Sequence, residues 1–332
     1  MKTINQSGFT LIELMIALTL GLILVAVAIQ LLISGQVNYR IQTSASSLQD
    51  SGIFGVGYVT KNIRLANHGN AGAMNDESLY GGIVLSNQTS GSATPLADGN
   101  LKGLKIGTAL LSGNNLVSSN QNNDSAFSTY AKSDQLVVMY QAPINTFTCD
   151  GKKVKGPERT NTTYAKGWYV VERYYINKTS GKDEANLNCS SAMFAAIGEI
   201  VSPAVSTYES TTISADNTLT ANYAENAGEA VGKNVEYMRV QLIIRNSDGS
   251  TRTVGINEYN AIPISSTVTH RPAIIGVNLG WLVRSSEKVA MANKTSFVVL
   301  DKTITAPSDG YMRHVYTTTI ALRNGGLGDI IQ

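Results

Sequence analysis

The strongest feature of the hydrophobic pattern is an apolar run near the N-terminus. Residues 9–33 contain a single charged side chain, that of Glu13. A helix rises about 1.5 Å per residue, so a run of this length spans the ~30 Å hydrocarbon core of a bilayer, whereas a secretory signal peptide has an apolar region of only about 7–15 residues. The pattern therefore predicts a membrane-spanning helix. Because Lys2 precedes it, the positive-inside rule predicts a cytoplasmic N-terminus with the rest of the chain outside.

The helical pattern continues beyond this run. Apolar or small residues recur every three or four positions, the spacing that gives a helix one face to pack on a core. They are Val37, Ile41, Ala45, Leu48, Gly52, Val56, Val59, Ile63 and Ala66. His68-Gly69 predicts a C-terminal stop. The whole pattern predicts one helix over residues 10–66, with local bending where Gly52, Gly55 and Gly57 weaken it.

After Gly69 the pattern changes to an alternation of apolar and polar positions. Five segments are rich in β-branched and aromatic residues and bounded by turn formers, which predicts strands. They cover residues 134–142, 168–176, 235–245, 273–285 and 311–323. Asp248-Gly249 predicts a hairpin turn, and Ser/Asn/Gly-rich stretches at 86–100, 112–128 and 206–234 predict long loops. The predicted fold class is α+β, with a long N-terminal helix packed on an antiparallel β-sheet domain.

Composition narrows the range of functions. The 26 Lys and Arg against 24 Asp and Glu leave a formal charge of +2, too balanced to indicate a nucleic-acid-binding surface. With three His and two Cys, dense His/Cys metal clusters are excluded. Arg239, Arg245 and Arg284 lie in predicted strands and are interpreted as solvated residues of strand edges.

A search for catalytic motifs finds none. The phosphate-binding G-x-x-x-x-G-K-[ST], the zinc-binding H-E-x-x-H, C-x-x-C and G-x-S-x-G are all missing from the sequence. His68, His270 and His314 are far apart in sequence, although a Ser–His–Asp site assembled only in space stays open. The segment NSDGS at 246–250 lacks the later acidic ligand of an EF-hand loop and is interpreted as a turn. No enzymatic activity, cofactor or metal site is therefore predicted.

The start of the apolar run carries a specific motif. The sequence GFTLIEL at residues 8–14 resembles the processing site of type IV prepilins and type II secretion pseudopilins. In that family a short polar leader ends at a Gly, and a membrane-embedded prepilin peptidase cleaves after it and methylates the new N-terminal amine. The resemblance implies cleavage after Gly8 and a mature chain that starts at N-methyl-Phe9, with Glu13 as its fifth residue.

The motif and the pattern divide the chain into four regions. Residues 1–8 form the leader, 9–33 the transmembrane and assembly helix, 34–69 its amphipathic continuation, and 70–332 a periplasmic β-rich domain. The implied location is the bacterial inner membrane, with a cytoplasmic N-terminus. After assembly, the implied location is the pilus.

Glu13 requires a partner, because a carboxylate inside a spanning helix costs roughly 2.5–3.5 kcal/mol on insertion scales. The resemblance implies that it attracts the N-methyl-Phe9 amine of a neighbouring subunit and so sets the register of assembly. Two other interpretations stay open. Glu13 could be hydrated at the membrane interface, or it could pair with the amine of its own chain, since Phe9 lies one turn away on the same helix face.

Cys149 and Cys189 are the only cysteines, and both lie in the part predicted to be outside the membrane. An oxidising compartment favours a disulfide between them. In the chain-entropy model, closing a loop of about 40 residues stabilises a domain by roughly 4 kcal/mol. The alternative is two unpaired, buried thiols.

Further segments indicate which subgroup of this family the chain resembles. Residues 234–250, 277–285 and especially 313–326 resemble the C-terminal half of PilW-type minor pilins and, less closely, of the J-type pseudopilin of type II secretion; residues 49–69 are similar to the second helical half of the same group. The resemblance implies a minor pilin that initiates or caps a type IV pilus. Its implied partners are the prepilin peptidase, the lipid bilayer, other minor pilins, the major pilin, the inner-membrane assembly platform and, in some members, a tip adhesin.

The activities implied for such a protein are pilus biogenesis, adhesion, twitching motility or DNA uptake, without direct binding of nucleic acid. Two alternatives remain. One is a minor pseudopilin of a type II secretion system, which gene neighbourhood would distinguish. The other belongs to a different class: a membrane-tethered periplasmic enzyme or binding module whose leader only mimics that of a prepilin.

Overall fold

The fold is that of a computed structural model, which describes residues 8–70, 72–86, 99–111, 114–123, 132–159, 163–178, 184–200, 213–225, 228–264, 270–289 and 294–325. Its first element, α1 (Leu11–Ile63), is one helix of 53 residues, about 80 Å long at 1.5 Å per residue. It begins one residue later and ends three residues earlier than predicted. Turns cover residues 64–69, where Gly69 adopts a φ of +95° that favours glycine.

After α1 the described chain is mostly β structure, with one short helix, α2 (Ile256–Asn260), and a 3₁₀ turn at Asn114–Leu116. The strands, in chain order, are β1 (Gly82–Ile83), β2 (Lys105–Ile106), β3 (Ala109–Leu110), β4 (Ser119–Asn123), β5 (Ser133–Gln141), β6 (Thr146–Phe147), β7 (Lys153–Val154), β8 (Glu158–Arg159), β9 (Tyr164–Ala165), β10 (Tyr169–Lys178), β11 (Ala185–Phe194), β12 (Glu229–Gly232), β13 (Val235–Arg245), β14 (Thr251–Gly255), β15 (Ala273–Lys288), β16 (Ser296–Val299), β17 (Lys302–Thr305) and β18 (Tyr311–Ala321).

The first sheet is antiparallel, in the order β1–β5–β10–β11–β12, and β4 also pairs with β5. The first eight residues of β5 are all buried, as are the first eight of β10, so this sheet is covered on both faces. One face packs on the main core. The other packs on apolar residues of segments 101–116 and 219–223, which are not part of this sheet. Segments outside the sheet thus cover its second face.

The second sheet is antiparallel, in the order β14–β13–β15–β18, and α1 packs on β15 and β18 of this sheet and on β12 of the first. Both sheets and the helix share one core. Two side chains of β5 join the sheets: Ser133 Oγ accepts a hydrogen bond from the main-chain N–H of Met238 at 2.9 Å, and Asp134 Oδ2 accepts one from that of Val240 at 2.8 Å. The described residues between 70 and 325, which we call the head, therefore form a single packed unit built on the end of the helix.

The predicted α+β fold class is confirmed. The five predicted strands correspond to β5, β10, β13, β15 and β18, and the turn at Asn246–Gly249 is present, with a φ of +80° at Gly249. Strand β11 and the hairpin β16–β17 were not predicted from the sequence. The prediction of loops was wrong at β4 and β12, because pairing with a neighbouring strand holds these segments extended. Of the three predicted loops, residues 87–98, 112–113, 124–128, 206–212 and 226–227 are outside the described residues.

The glycines of α1 do not interrupt the helix. A Cβ added at Gly52 would lie 2.3 Å from the ring of Tyr316 in β18, and one at Gly55 would lie 3.6 Å from the Cα of Gly232 in β12. No atom lies within 4 Å of such a Cβ at Gly57. The first two glycines therefore allow a close approach of helix and strands, a packing role that their spacing in the sequence did not reveal.

Candidate processing and assembly segment and its attachment to the head

The described chain begins with an extended segment before the helix. Thr10 is the N-cap of α1: its main-chain oxygen accepts hydrogen bonds from the N–H groups of Glu13 and Leu14, and its Oγ1 accepts from Glu13 N–H at 3.3 Å. A Cβ added at Gly8 would meet no atom within 4 Å, and Phe9 is 85% exposed. The backbone on both sides of the Gly8–Phe9 bond is therefore open to approach.

Glu13 lies in the first turn of α1, where a negative charge interacts favourably with the helix dipole. Its side chain is exposed and makes no hydrogen bond or ion pair with any described residue. It is the only ionisable side chain between residues 8 and 39. The carboxylate is thus available to a group outside this chain.

Helix α1 has two parts with different surroundings, which we call the lower segment, residues 11–40, and the upper segment, residues 41–63. Every residue of the lower segment is exposed. Within it, an 18-residue window reaches a mean hydropathy of 2.8, and α1 is the one helix in the described part of the chain that is long and apolar enough to cross a membrane. The lower segment has the length and composition of a membrane span.

The upper segment attaches the helix to the head. Leu48, Val59 and Ile63 are buried in the main core. Two hydrogen bonds support the contact: the hydroxyl of Tyr316 donates to the main-chain oxygen of Leu48 at 3.0 Å, and the N–H of Ser286 donates to Ser47 Oγ at 3.3 Å. Together with the close approach at Gly52, these contacts fix the helix on the second sheet.

A buried carboxylate, which sequence analysis did not single out, lies under the upper segment. Glu172 in β10 accepts four hydrogen bonds: from Asn62 Nδ2 of α1 at 3.0 Å, from the hydroxyl of Tyr140 at 3.0 Å, from the main-chain N–H of Cys149 at 2.8 Å and from the hydroxyl of Tyr174 at 2.7 Å. Burial raises the pKa of Glu172 to about 7, although these hydrogen bonds oppose the rise. The one acidic residue in an apolar strand, WYVVERYYI, is the signal that could have indicated it.

The disulfide between Cys149 and Cys189 is present, as predicted, with the two Cα atoms 6.0 Å apart. It joins the segment after β6 to β11, and the Cys149 main chain also binds α1 and β10: its N–H donates to Glu172, and its oxygen accepts from the hydroxyl of Tyr58 at 3.1 Å. Next to it, Asp150 pairs with Lys152 at 2.7 Å. The disulfide therefore anchors the segment on which the helix and the first sheet meet.

The interpretation of Arg239 and Arg284 as solvated edge residues is wrong. Arg239 is 5% exposed and pairs with Asp134 of β5 at 3.2 Å and with Asp301, in the turn of the β16–β17 hairpin, at 2.7 Å. Arg284, also 5% exposed, lies over the ring of Tyr311 at 4.1 Å. The partners of Arg239 are 105 and 62 positions away in the sequence, and Tyr311 lies on the neighbouring strand β18, so local sequence did not reveal the burial.

Arg245 is half-buried and lines a cleft with His270. The three histidines have separate surroundings: His68 Nδ1 bonds to the Gln141 oxygen, His270 Nδ1 lies 2.6 Å from Glu77 Oε2, and His314 packs against a tyrosine ring. Within the described ranges no group of three His, Cys, Asp or Glu side chains could hold a metal ion. The arrangement of buried polar groups fixes the helix, sheets and hairpin to one another.

Comparisons with known proteins agree with these features. A family model described as Type IV Pilus-assembly protein W matches residues 173–324, and one described as a prokaryotic N-terminal methylation motif matches residues 4–29. Among solved structures, the chain is similar to a type IV-like pilin from Thermus thermophilus, with 11% identity and a TM-score of 0.36 over 84% of this chain and 96% of that chain. That score is too low to establish a shared fold. A comparison with curated proteins gives no match.

The two family matches lie at opposite ends of the chain and correspond to two parts of the structure. The methylation motif covers the exposed segment before α1 and much of its lower segment. The second match begins in β10 and ends at residue 324, near the end of the described head. It includes β11, which contains Cys189, and the whole second sheet. Together they support the resemblance of this chain to PilW-type, type IV pilin-like proteins.

Proposed function

We propose that this chain is a minor pilin of a type IV pilus, made as a membrane-inserted precursor and assembled with other pilins through the lower segment of α1. One observation carries the proposal: a single helix is exposed along its first 30 residues, which are almost entirely apolar up to residue 33, and its remaining part packs in the core of a head. An exposed apolar surface of this size requires lipid or another apolar helix around it. A filament subunit has lipid around it before assembly and other helices afterwards.

Processing is the first step of the proposed function. The prepilin peptidase cleaves after Gly8 and methylates Phe9, and the open backbone around Gly8 supports this, because a peptidase must bring its catalytic groups close to the scissile bond. A side chain at this position would occupy space that the peptidase needs. The products are the leader, residues 1–8, and a mature chain with a new amine one helical turn from Glu13.

Assembly is the second step. The Glu13 carboxylate, which has no partner among the described residues, attracts the N-methyl-Phe9 amine of a neighbouring subunit as α1 leaves the bilayer. In a low-dielectric surrounding this attraction is much stronger than in water. It sets the axial register of the new subunit, and the exposed apolar side chains of the lower segment then pack on neighbouring helices.

The proposed location follows from the same features. Before assembly the lower segment spans the inner membrane, with the N-terminus in the cytoplasm and the head in the periplasm, where the Cys149–Cys189 disulfide is stable against reduction. The partners are other minor pilins, the major pilin and the inner-membrane assembly platform, with which the subunit initiates or caps the filament. A type II secretion role is the weaker candidate, because the family match is to a pilus-assembly protein.

Two variants test the two steps in cells that make the pilus. Gly8→Val should leave a precursor longer by the leader, and Gly35→Val is its control, because Gly35 is also free of neighbours within 4 Å but lies far from the cleavage site. N-terminal mass spectrometry of the membrane-extracted protein distinguishes the forms. Trimming and methylation of the Gly8→Val protein at Phe9 would reject the prepilin assignment.

For assembly, Glu13→Ala should be inserted, cleaved and folded normally but be missing from sheared filaments. Gln30→Ala is the matched control, since it removes a polar side chain from the same exposed helix without changing the charge. Quantitative immunoblots of sheared filaments and membranes measure the distribution. If the Glu13→Ala protein is processed and enters filaments at the wild-type level, Glu13 is not an assembly contact.

A further inference from the structure

Strand β18 forms an outer edge of the second sheet, and in the described part of the chain it pairs only with β15. At its end, Leu322 N–H donates to the Ile275 oxygen at 2.9 Å, so the even-numbered residues of the strand direct their main-chain groups towards β15. In an antiparallel pair the alternate residues direct their N–H and C=O groups away from the partner strand. On β18 these outward-facing residues are Val315, Thr317, Thr319 and Ala321.

The outward edge of β18 lacks the common features that prevent pairing with another chain. Edge strands are usually protected by Lys, Pro, a bulge or a short length. Residues 314–321, HVYTTTIA, contain no Lys or Pro, and their register with β15 is unbroken. The four outward N–H groups make no hydrogen bond with a described residue. The edge can therefore accept a further strand along this length.

The direction of β18 limits what that further strand can be. The Tyr316 hydroxyl bonds to the Leu48 oxygen, and further along both elements Asn324 Nδ2 donates to the Ala66 oxygen at 3.5 Å, so β18 and α1 run the same way. Antiparallel pairing of two β18 strands would turn the second helix end for end. Two copies held in one membrane cannot adopt that arrangement, a step that rests on the proposed membrane span. These directions favour an extended segment of a different protein as the occupant.

A groove of about 440 Å³ lies between α1 and the end of this edge. Its lining includes Lys61 and Arg64 of the helix and Arg323, which follows β18. None of the lining residues is acidic, and none of the three basic side chains makes a hydrogen bond or ion pair with a described residue. Gly57, also in the lining, has no atom within 4 Å of an added Cβ, and Ile53, one turn earlier on the same helix face, is 60% exposed. The groove thus combines uncompensated positive charge with an apolar helix surface.

We propose that the outer edge of β18 binds an extended segment of a partner protein as an added antiparallel strand, whose first residues are acidic and are held by Lys61, Arg64 and Arg323. Strand addition takes its affinity from main-chain hydrogen bonds and its specificity from alternate side chains. An antiparallel strand begins where β18 ends, so its first carboxylates meet the three basic groups through charge-assisted hydrogen bonds.

The two faces of the edge define the rest of the bound segment. Tyr316 packs towards the helix and the main core, whereas Val315 packs on the opposite side of the sheet, under the β16–β17 hairpin. Thr317 and Thr319 share the side of Val315 and are exposed. Every second side chain of an added strand would lie beside these threonines, and the others would face the helix near Ile53. We therefore expect an alternation of Thr and apolar residues after the acidic start.

The test is a fluorescence-anisotropy titration of the full chain, in neutral detergent at low salt, with end-blocked labelled peptides. The first peptide is DDTVTVTVT. In the second peptide, Lys replaces both Asp residues; in the third, the two Asp residues stand at the end instead of the start; in the fourth, Pro replaces the central Val and removes a main-chain donor. The four peptides separate the effects of charge, strand direction and strand pairing.

Thr317→Pro tests the edge, because it removes an outward N–H at a position where an edge strand tolerates Pro. Its matched control is Thr253→Pro in β14, the other edge strand of the same sheet. There Asn246 N–H donates to the Ser250 oxygen at 2.9 Å, and the register then places the main-chain groups of Thr253 outward as well. The same substitution is thus made on two edges, of which one borders the basic groove.

The double variant Arg64→Gln/Arg323→Gln tests the basic end of the groove. Its control is Arg159→Gln, because Arg159 is exposed in β8 and does not line the groove. Urea midpoints will show that the variants are folded. The charge variant changes exposed side chains only, so the test stands even if Thr317→Pro does not fold.

We expect saturable binding of DDTVTVTVT and roughly tenfold weaker binding of each of the other three peptides. Thr317→Pro and the double Arg variant should each lose about tenfold in affinity for DDTVTVTVT, and the two controls should not. Residue-resolved hydrogen exchange should show slower exchange at Val315, Thr317, Thr319 and Ala321 when this peptide is bound.

Several outcomes would overturn the proposal: no binding of DDTVTVTVT, equal affinity for the Lys or Pro peptide, equal binding by both edge variants, or unchanged exchange on β18. Equal affinity for the peptide with its acidic end reversed would reject the antiparallel direction. A dimer of the full chain that Thr317→Pro abolishes would assign the edge to a second copy. The measurements require neither processing nor assembly, so their failure would leave the proposed minor-pilin function untouched.

Discussion

The two segments of α1 show what different surroundings do to one continuous helix. Along residues 11–33 of the lower segment, apolar side chains cover the whole circumference, and Leu24 is 71% exposed. Along the upper segment they form a stripe, and Leu48, on the buried face, is 5% exposed. A helix that is apolar all round must be buried all round, whereas a stripe needs one covering surface. The chain supplies that surface for the upper segment only.

Stability and assembly should therefore be separable. Substitutions in the upper segment and the head should change the free energy of unfolding, and those in the lower segment should change membrane and filament contacts. Trp168 and Trp281 are both buried in the head, so their fluorescence reports unfolding of the head alone. The predictions that follow use urea unfolding of the full chain in detergent, with that signal.

The largest effect is expected from the disulfide. Replacing both Cys149 and Cys189 by Ser should lower the free energy of unfolding of the head by about 4 kcal/mol, because the link closes a loop with a sequence separation of 40. Membrane insertion through the lower segment should not change. Wild-type protein treated with a reductant should match the variant, and an equal urea midpoint for all three samples would contradict the prediction.

A pair of leucines compares the two segments directly. Leu48→Ala should cost about 3 kcal/mol, since it opens a cavity in the main core. Leu24→Ala, the same chemical change on the same helix, should leave the unfolding free energy within about 0.5 kcal/mol of wild type, because Leu24 makes no contribution to the head. Equal losses in the two variants would show that the lower segment also packs on the head.

Glu172 should make stability depend on pH. Its folded pKa of about 7 lies above its ordinary value of 4.5, so the folded head binds the proton more tightly, and stability falls as the pH rises from about 4.5 to 7. The fall should be at most about 3 kcal/mol. Glu172→Gln should remove this part of the dependence, whereas Glu229→Gln, at an exposed position of β12, should not. Identical pH profiles for wild type and Glu172→Gln would contradict the prediction.

The smallest effect concerns two glycines of the upper segment. Gly57→Ala should stabilise the head by up to about 1 kcal/mol, because alanine favours the helix and the position is open. Gly52→Ala gains the same helix preference but pushes Tyr316 away from its hydrogen bond with Leu48, so a net loss of about 1 kcal/mol is expected. An equal gain in unfolding free energy for both variants would mean that the Tyr316 ring moves aside without a loss of stability.

The elements that could be predicted from the sequence are those in which apolar residues recur with a regular spacing. The helix and the five apolar strands follow from it. Strand β11 does not, because Asn186, Asn188, Ser190 and Ser191 have the composition of a loop. They are extended because β10 pairs along the whole length of β11. That pairing is a property of the assembled sheet and leaves no trace in the local sequence.

The sites divide in the same way. The processing motif is contiguous, so Gly8, Phe9 and Glu13 could be singled out from the sequence, and their roles in cleavage and assembly remain predictions. Three of the four donors to Glu172 come from separate segments of the chain, and the partner of Arg239 in β5 lies 105 positions away. Sequence patterns over short windows contain no information on such pairs.

The contact between α1 and β18 also determines the order in which the protein can fold. The Tyr316 hydroxyl and the Leu48 oxygen that it binds are 268 positions apart, so the helix is synthesised first and its partner strand nearly last. Until then, the part of the upper segment that packs on β18, around Leu48 and Gly52, is not covered by its own chain. Contacts of such long sequence separation slow folding and prolong the exposure of apolar surface. We therefore expect newly made chains to depend on chaperones until the last strand has emerged.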